Sequence, residues 1–249
     1  MKSKWANILL LAAVVLSKPV LATPPDVDVV RVSLLRAAPG HLEPLLKEIS
    51  EQKVDQLVLR HSQGDHWDVM VVGRYGDKWQ EKHSAKLAPY SWWLQTPVDY
   101  DLTFSAICNA SYLSLFLPKE SMDSPDTPAY AEHRLAFTEE TNLFHIEMFM
   151  AAGGKLHALR KQREMENDYL TKTERRANTI CWVDSGSDID VFTIGFYRNM
   201  AHFAEEPNLP DEAFEKAAIA AGFKNRADIS FHLRELIVGH HDTLATKVK

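Results

Sequence analysis

The sequence predicts an α+β fold: two tandem β-α-β-β-α-β units closing on one another into a barrel. Three observations carry that expectation. Two separated blocks of chain recur in the same order. Each copy of the first block changes from a two-residue to a helical apolar period at a glycine-bearing turn, and a polar stretch with three prolines divides the copies.

The first block, Val29 to Glu48, lies over Leu143 to Gln162 without a gap. Ala37/Ala151, Ala38/Ala152, Gly40/Gly154, Leu42/Leu156, Leu45/Leu159 and Lys47/Lys161 are identical pairs. Val30, Val32 and Leu34 alternate with Arg31 and Ser33, and Phe144, Ile146 and Met148 alternate with His145 and Glu147. That is the period of a strand with unlike faces. Ala38-Pro39-Gly40 and Gly153-Gly154 then turn the chain into helices whose leucines share one stripe. The second block, from Gly64, lies over that from Gly186, pairing Asp68/Asp190, Val69/Val191, Gly73/Gly195 and Tyr75/Tyr197.

Second strands are expected at Gln56 to Arg60 and Asn178 to Val183, and third strands at Trp67 to Tyr75 and Ile189 to Tyr197. Helices follow at Lys78 to Leu87 and Asp211 to Ala221, the latter with Gly222 just past its end. Last strands are expected near Thr103 to Leu117 and Leu236 to Val248. The predicted organisation is a signal segment over 1–22, a first half over 23–117, a linker over 118–142 with a short helix near Tyr130 to Phe137, and a second half over 143–249.

Hydrophobic residues make up 45% of the 249, enough for a substantial core, which excludes a mainly disordered chain. A net charge of -6 argues against nucleic acid, whose phosphates demand clustered Lys and Arg. Lys2 and Lys4, the apolar run Ile8 to Leu16, and Val20-Leu21-Ala22 before Thr23-Pro24-Pro25 form a secretory signal pattern. The run is too short to span a bilayer, so the mature protein is expected in the periplasm or outside the cell, with no membrane attachment after cleavage. Cys108 and Cys181 fall in strands of different halves. An oxidising compartment permits a bridge, but buried free thiols are the preferred expectation, and their spacing matches no metal pattern.

A strand, Ala-Pro-Gly or Ala-Gly-Gly, a Leu-x-x-Leu helix, and then a hairpin into a strand ending Gly-x-Tyr resemble the dimeric α/β-barrel superfamily of ferredoxin-like folds. The NIPSNAP-like and antibiotic-biosynthesis-monooxygenase-like groups are most similar, and the resemblance covers most of residues 29–248. It implies two ferredoxin-like βαββαβ units forming an intramolecular dimeric α/β barrel: a monomer with an internal pseudo-twofold, with a homo-oligomer left open. It also implies a cavity for a small organic molecule, often aromatic or carbonyl-bearing, with haem a less favoured occupant and no cofactor the base expectation. Some members oxygenate or isomerise substrates without a metal.

Within that frame Ile146 and Met148 are expected to face the covering helix, which would leave His145 and Glu147 lining the barrel. The last strand, carrying His240-His241-Asp242-Thr243, should lie beside them. His145 and Glu147 with His240 are then the candidate acid-base residues of an oxygenase or isomerase, since imidazole titrates near neutrality. Arg31, Trp182, Tyr197 and His241 are candidate ligand contacts. Trp92-Trp93 and Phe196 could add aromatic surface, although such residues are more often core. Arg160 to Arg163 is expected to be a solvated basic face. No HExxH spacing appears and no metal is expected. The first expectation is an exported small-molecule-binding protein; the alternatives are a cofactor-independent enzyme and a structural or interaction module with a filled barrel.

Overall fold

A computed structural model of the chain describes residues 27–51, 56–62, 67–75, 98–109, 112–117 and 128–248. The expected signal segment, the Gly64 turn, the helix over 78–87 and Trp92-Trp93 lie outside the described residues. The alternating segments form the strands β1 (Val27–Ala37), β2 (Leu57–His61), β3 (Val69–Arg74), β4 (Val98–Asn109), β5 (Leu143–Ala151), β6 (Thr179–Ser185), β7 (Val191–Tyr197) and β8 (Ile237–Lys247). Among the described residues the helices are α1 (Leu42–Glu51), α2 (Leu113–Phe116), α3 (Pro128–Glu140), α4 (Leu156–Lys172), α5 (Met200–Ala204), α6 (Asp211–Ala220) and α7 (Asp228–Arg234). Gly222, at φ +104°, ends α6 as its position past the apolar stripe suggests. None of the described helices is long and apolar enough to cross a membrane.

All eight strands are antiparallel and close into one barrel in the order β1-β3-β2-β8-β5-β7-β6-β4, with β4 returning to β1. The first four strands run β4-β1-β3-β2 and the last four run β8-β5-β7-β6, so corresponding strands occupy corresponding places. The two sets meet at β2–β8 and β4–β6. Local devices recur with them. Asp68 accepts a hydrogen bond from the Ala37 N–H at 2.9 Å, and Asp190 accepts one from the Ala151 N–H at 2.8 Å. Gly40 and Gly154 both turn at left-handed φ, +78° and +73°, a conformation that glycine adopts without strain.

The lumen carries the main core. Val30, Val32 and Leu34 from β1, Phe104 and Ala106 from β4, Phe144, Ile146 and Met148 from β5, and Phe192, Ile194 and Phe196 from β7 all belong to one contiguous buried cluster. An eight-stranded barrel is just wide enough for side chains to fill it, and these aromatic and branched residues do so. The outer faces are covered separately. Leu35, Val69 and Val71 pack against Leu45 and Ile49 of α1, and Phe149, Ile180 and Val191 pack against Leu159 of α4.

This arrangement inverts the expected faces. Ile146 and Met148 point into the lumen, and His145 and Glu147 point out, toward the helices. Arg31 and Ser33 likewise alternate with lumen residues and face outward, Ser33 bonded to Thr103 at 2.9 Å. The physical reason is that two facing sheets bury more apolar area against each other than one sheet buries under a single helix, so the longest apolar series goes to the lumen.

Cys108 and Cys181 are directly opposite each other across β4 and β6 and form a disulfide, correcting the expectation of free thiols. Both are fully buried, and their bond ties the two sets of strands together at one of the two seams.

Candidate functional site

Strand geometry assembles the site. His145 and Glu147, two apart on β5, share its outer face, and β8 places Asp242 directly opposite Glu147 and His240 two pairs further along, opposite Phe149. The structure therefore brings together the three candidate acid-base residues, on the outside of the second half's sheet and not in the lumen. His145 Nε2 lies 2.6 Å from Asp242 Oδ1, and His240 Nε2 lies 3.5 Å from Glu147 Oε1. The His240 ring stacks on Phe149 at 4.8 Å.

Helix α4 supplies the counter-charge. Arg163 is 2% exposed, which corrects its placement on a solvated face. Its Nη1 is 3.5 Å from Glu147 Oε2, it also pairs with Glu166, and its guanidinium lies over the Phe149 ring at 4.6 Å. Thr193 Oγ1 donates to Glu147 Oε2 at 3.1 Å. Helix α5 closes one side, setting Phe203 5.3 Å from the His145 ring and 5.0 Å from Tyr197.

These contacts set the charges. Burial alone would raise the Glu147 carboxyl, but the His240 hydrogen bond and the charges of Arg163, His145 and His240 overcome it and hold the group at about 2. Burial works against protonating His145, yet its bond to Asp242 and the negative charges of Glu147, Asp242 and Glu166 leave its pKa raised above 6.5. Burial and the nearby Glu147 and Glu166 carboxylates raise the Tyr197 hydroxyl despite Arg175. The result is a fixed carboxylate at the floor and, at the more exposed edge, an imidazole whose protonated form is favoured. Asp242 is 52% exposed, so the cluster opens to solvent on the β8 side.

The other candidates distribute around this centre unequally. Tyr197 borders the site, two residues beyond Gly195, which sits opposite His145. Trp182 lies on the same outer surface but packs with the α4 cluster, under Arg160 at 5.4 Å. His241 alternates to the lumen side of β8 with Ala245, away from the cluster, and Arg31 is in the other half of the barrel. Sequence reasoning missed Asp242, Arg163 and Thr193 as members. Asp242 was recoverable, because His240 and Asp242 show the same i, i+2 spacing as His145 and Glu147.

No protein-family model matches the chain, and neither does any curated protein. Among solved structures, an anthrone oxidase-like protein is similar at 12% identity over 91% of this chain and 92% of that one, with a TM-score of 0.51. That likeness shows a shared fold, the eight-stranded α/β barrel. A heme-binding protein from Thermus thermophilus is similar at 11% identity over 91% of this chain and 94% of that one, with a TM-score of 0.42.

Proposed function

We propose that the chain is an exported, pseudo-dimeric barrel, a tandem duplication of a ferredoxin-like unit, that takes a small organic molecule at the polar cluster on the outer face of its second half. There it acts as a cofactor-independent oxygenase or isomerase of aromatic or carbonyl-bearing compounds. The observation that carries this is the His145–Asp242 pair at 2.6 Å, standing in front of the buried Glu147. Asp242 orients the imidazole and stabilises its protonated form, so His145 can accept a proton from an acidic O–H or C–H of a bound molecule. Phe203 and Tyr197 offer aromatic surface beside it. Glu147, held ionised, favours the imidazolium that forms.

The recurring sequence blocks, the matching strand places and the paired Asp68 and Asp190 bonds support the duplication. The signal pattern and the disulfide support export to an oxidising compartment, the periplasm or the exterior. One apolar cluster occupies much of the lumen, while the titratable groups gather on the outer face, which is why the site is placed there. The apolar lumen cluster favours a second reading, in which the barrel is a filled structural or interaction module.

The test is a thermal-shift screen of phenols, quinones and enolisable carbonyls, followed by turnover assays under air. A hit should shift wild type and not His145→Ala, and turnover should fall about 100-fold or more in that variant, the usual worth of a general base. Turnover that persists in His145→Ala refutes the enzyme reading, and hits that shift both proteins equally refute the site.

A further inference from the structure

We infer that the His145, Glu147 and Asp242 side chains, with His240 as a fourth donor, form a binding site for one divalent first-row cation of the zinc type. This rests on the location proposed above but not on its proton chemistry. One ligand atom from each of the first three residues lies within 4.8 Å of the others, and His240 Nε2 reaches 3.5 Å from the Glu147 carboxylate. Zinc bonds to imidazole nitrogen and carboxylate oxygen of about 2.0–2.2 Å place neighbouring tetrahedral donors about 3.3 Å apart, a spacing small side-chain rotations here would meet.

The strand register supplies an independent argument. Glu147 and Asp242 are directly opposite one another on β5 and β8, and like charges in that relation destabilise a sheet. Glu166 adds a third carboxylate, and among the described residues Arg163 is the one permanent cation paired within the group. Net negative charge beside two imidazoles suits a divalent ion better than a proton donor of fixed geometry. Imidazole with carboxylate selects the zinc, iron and manganese group over calcium, which prefers all-oxygen shells. The donors also have what a metal site needs behind them. Thr193 and Arg163 hold Glu147 in place, and the Phe149 ring holds His240. Asp242 and His240 lie at the solvent edge, which gives the ion an entry path.

The probe is zinc chloride titrated calorimetrically into chelator-washed, tag-free mature protein, with melting temperature as the second readout. One ion per chain and a raised melting temperature are expected. Glu147→Gln and Asp242→Asn should each weaken affinity about 100-fold, at the upper end of what even supporting residues contribute. His157→Ala, an exposed histidine on α4 outside the cluster, should leave it unchanged. Asp242→Asn is the decisive variant, because its exposed position keeps the fold intact, as circular dichroism would verify. Absent binding, or binding that Asp242→Asn leaves unchanged, overturns the inference. Repeating the organic-ligand screen in chelator separates the two readings: ligand shifts that persist while zinc does not bind remove the metal alone. Zinc binding with no organic ligand removes the proton-transfer site and supports the metal.

Discussion

Replacing Arg163 by Met removes the one guanidinium that two buried or half-buried carboxylates share while keeping most of the volume. The native surroundings hold Glu147 at about 2 instead of 4.5, a difference worth about 3 kcal/mol at 1.36 kcal/mol per pH unit. Glu147 is 9% exposed, so solvent does little to screen that sum. Because the folded value is the lower one, this stability is fully present above pH 4.5 and is lost as pH falls toward 2. Without Arg163, Glu147 and Glu166 are left facing each other with only the histidines to compensate. Breaking a buried pair this way costs about 3–5 kcal/mol. Urea unfolding of Arg163→Met at pH 7 should show a loss of that size, and the loss should shrink at pH 4, where the carboxyls can take up protons. The double variant Arg163→Met/Glu147→Gln should be more stable than Arg163→Met alone at pH 7. A penalty that is the same at both pH values, or a double variant that simply adds the two losses, would show that Arg163 matters through its packing on Phe149 and not through charge.

Three further outcomes follow from particular contacts. Gly195→Ala would bring its Cβ to 2.9 Å from the Tyr197 ring and from the Asn178 amide oxygen, so it should cost about 1–3 kcal/mol and change the Tyr197 near-ultraviolet signal; a silent substitution would mean the ring is not packed there. Cys108→Ala/Cys181→Ala frees a 73-residue loop and should lower stability by about 4 kcal/mol by loop-closure entropy, measured against wild type without reductant; equal denaturation midpoints would mean that the bond does not form. Phe196→Ala empties the centre of the lumen, where its ring meets Phe116, Phe137 and Phe144, and should cost about 3–5 kcal/mol in urea; a loss under 1 kcal/mol would contradict a filled interior.

Element type was legible where the period of two in Val30 to Leu34 and Phe144 to Met148 gave a local signal that survives in any context. The last strand expected near Thr103 to Leu117, however, ends at Asn109, and Leu113–Phe116 is helical because its apolar residues pack into the core instead of extending the sheet. The gathering of His145, Glu147 and His240 was legible too, since it needs only strand alternation and the adjacency of first and last strands. What failed was the choice of face. Alternation marks two sides without saying which one meets the larger partner, and here the opposing sheet outweighed the helix. The buried pairing of Arg163 was hidden for a related reason. Its neighbours Arg160 and Lys161 are charged, and nothing within α4 says that a carboxylate on β5 will lie beneath one of the three. The disulfide depends on register between β4 and β6, a contact between halves that no local pattern encodes.

The two seams of the barrel are unequally fastened. At β4–β6 a covalent bond spans the strands, whereas β2–β8 is held, among the described residues, by hydrogen bonds alone, from Val58 with Val248 to Ser62 with Leu244, including the bond between His61 and Thr243. The molecule is thus a cylinder with a permanent hinge on one side and a clasp on the other. Any breathing that parts the halves without breaking sulfur must begin at the clasp, and β8, the strand that parts there, also carries His240 and Asp242.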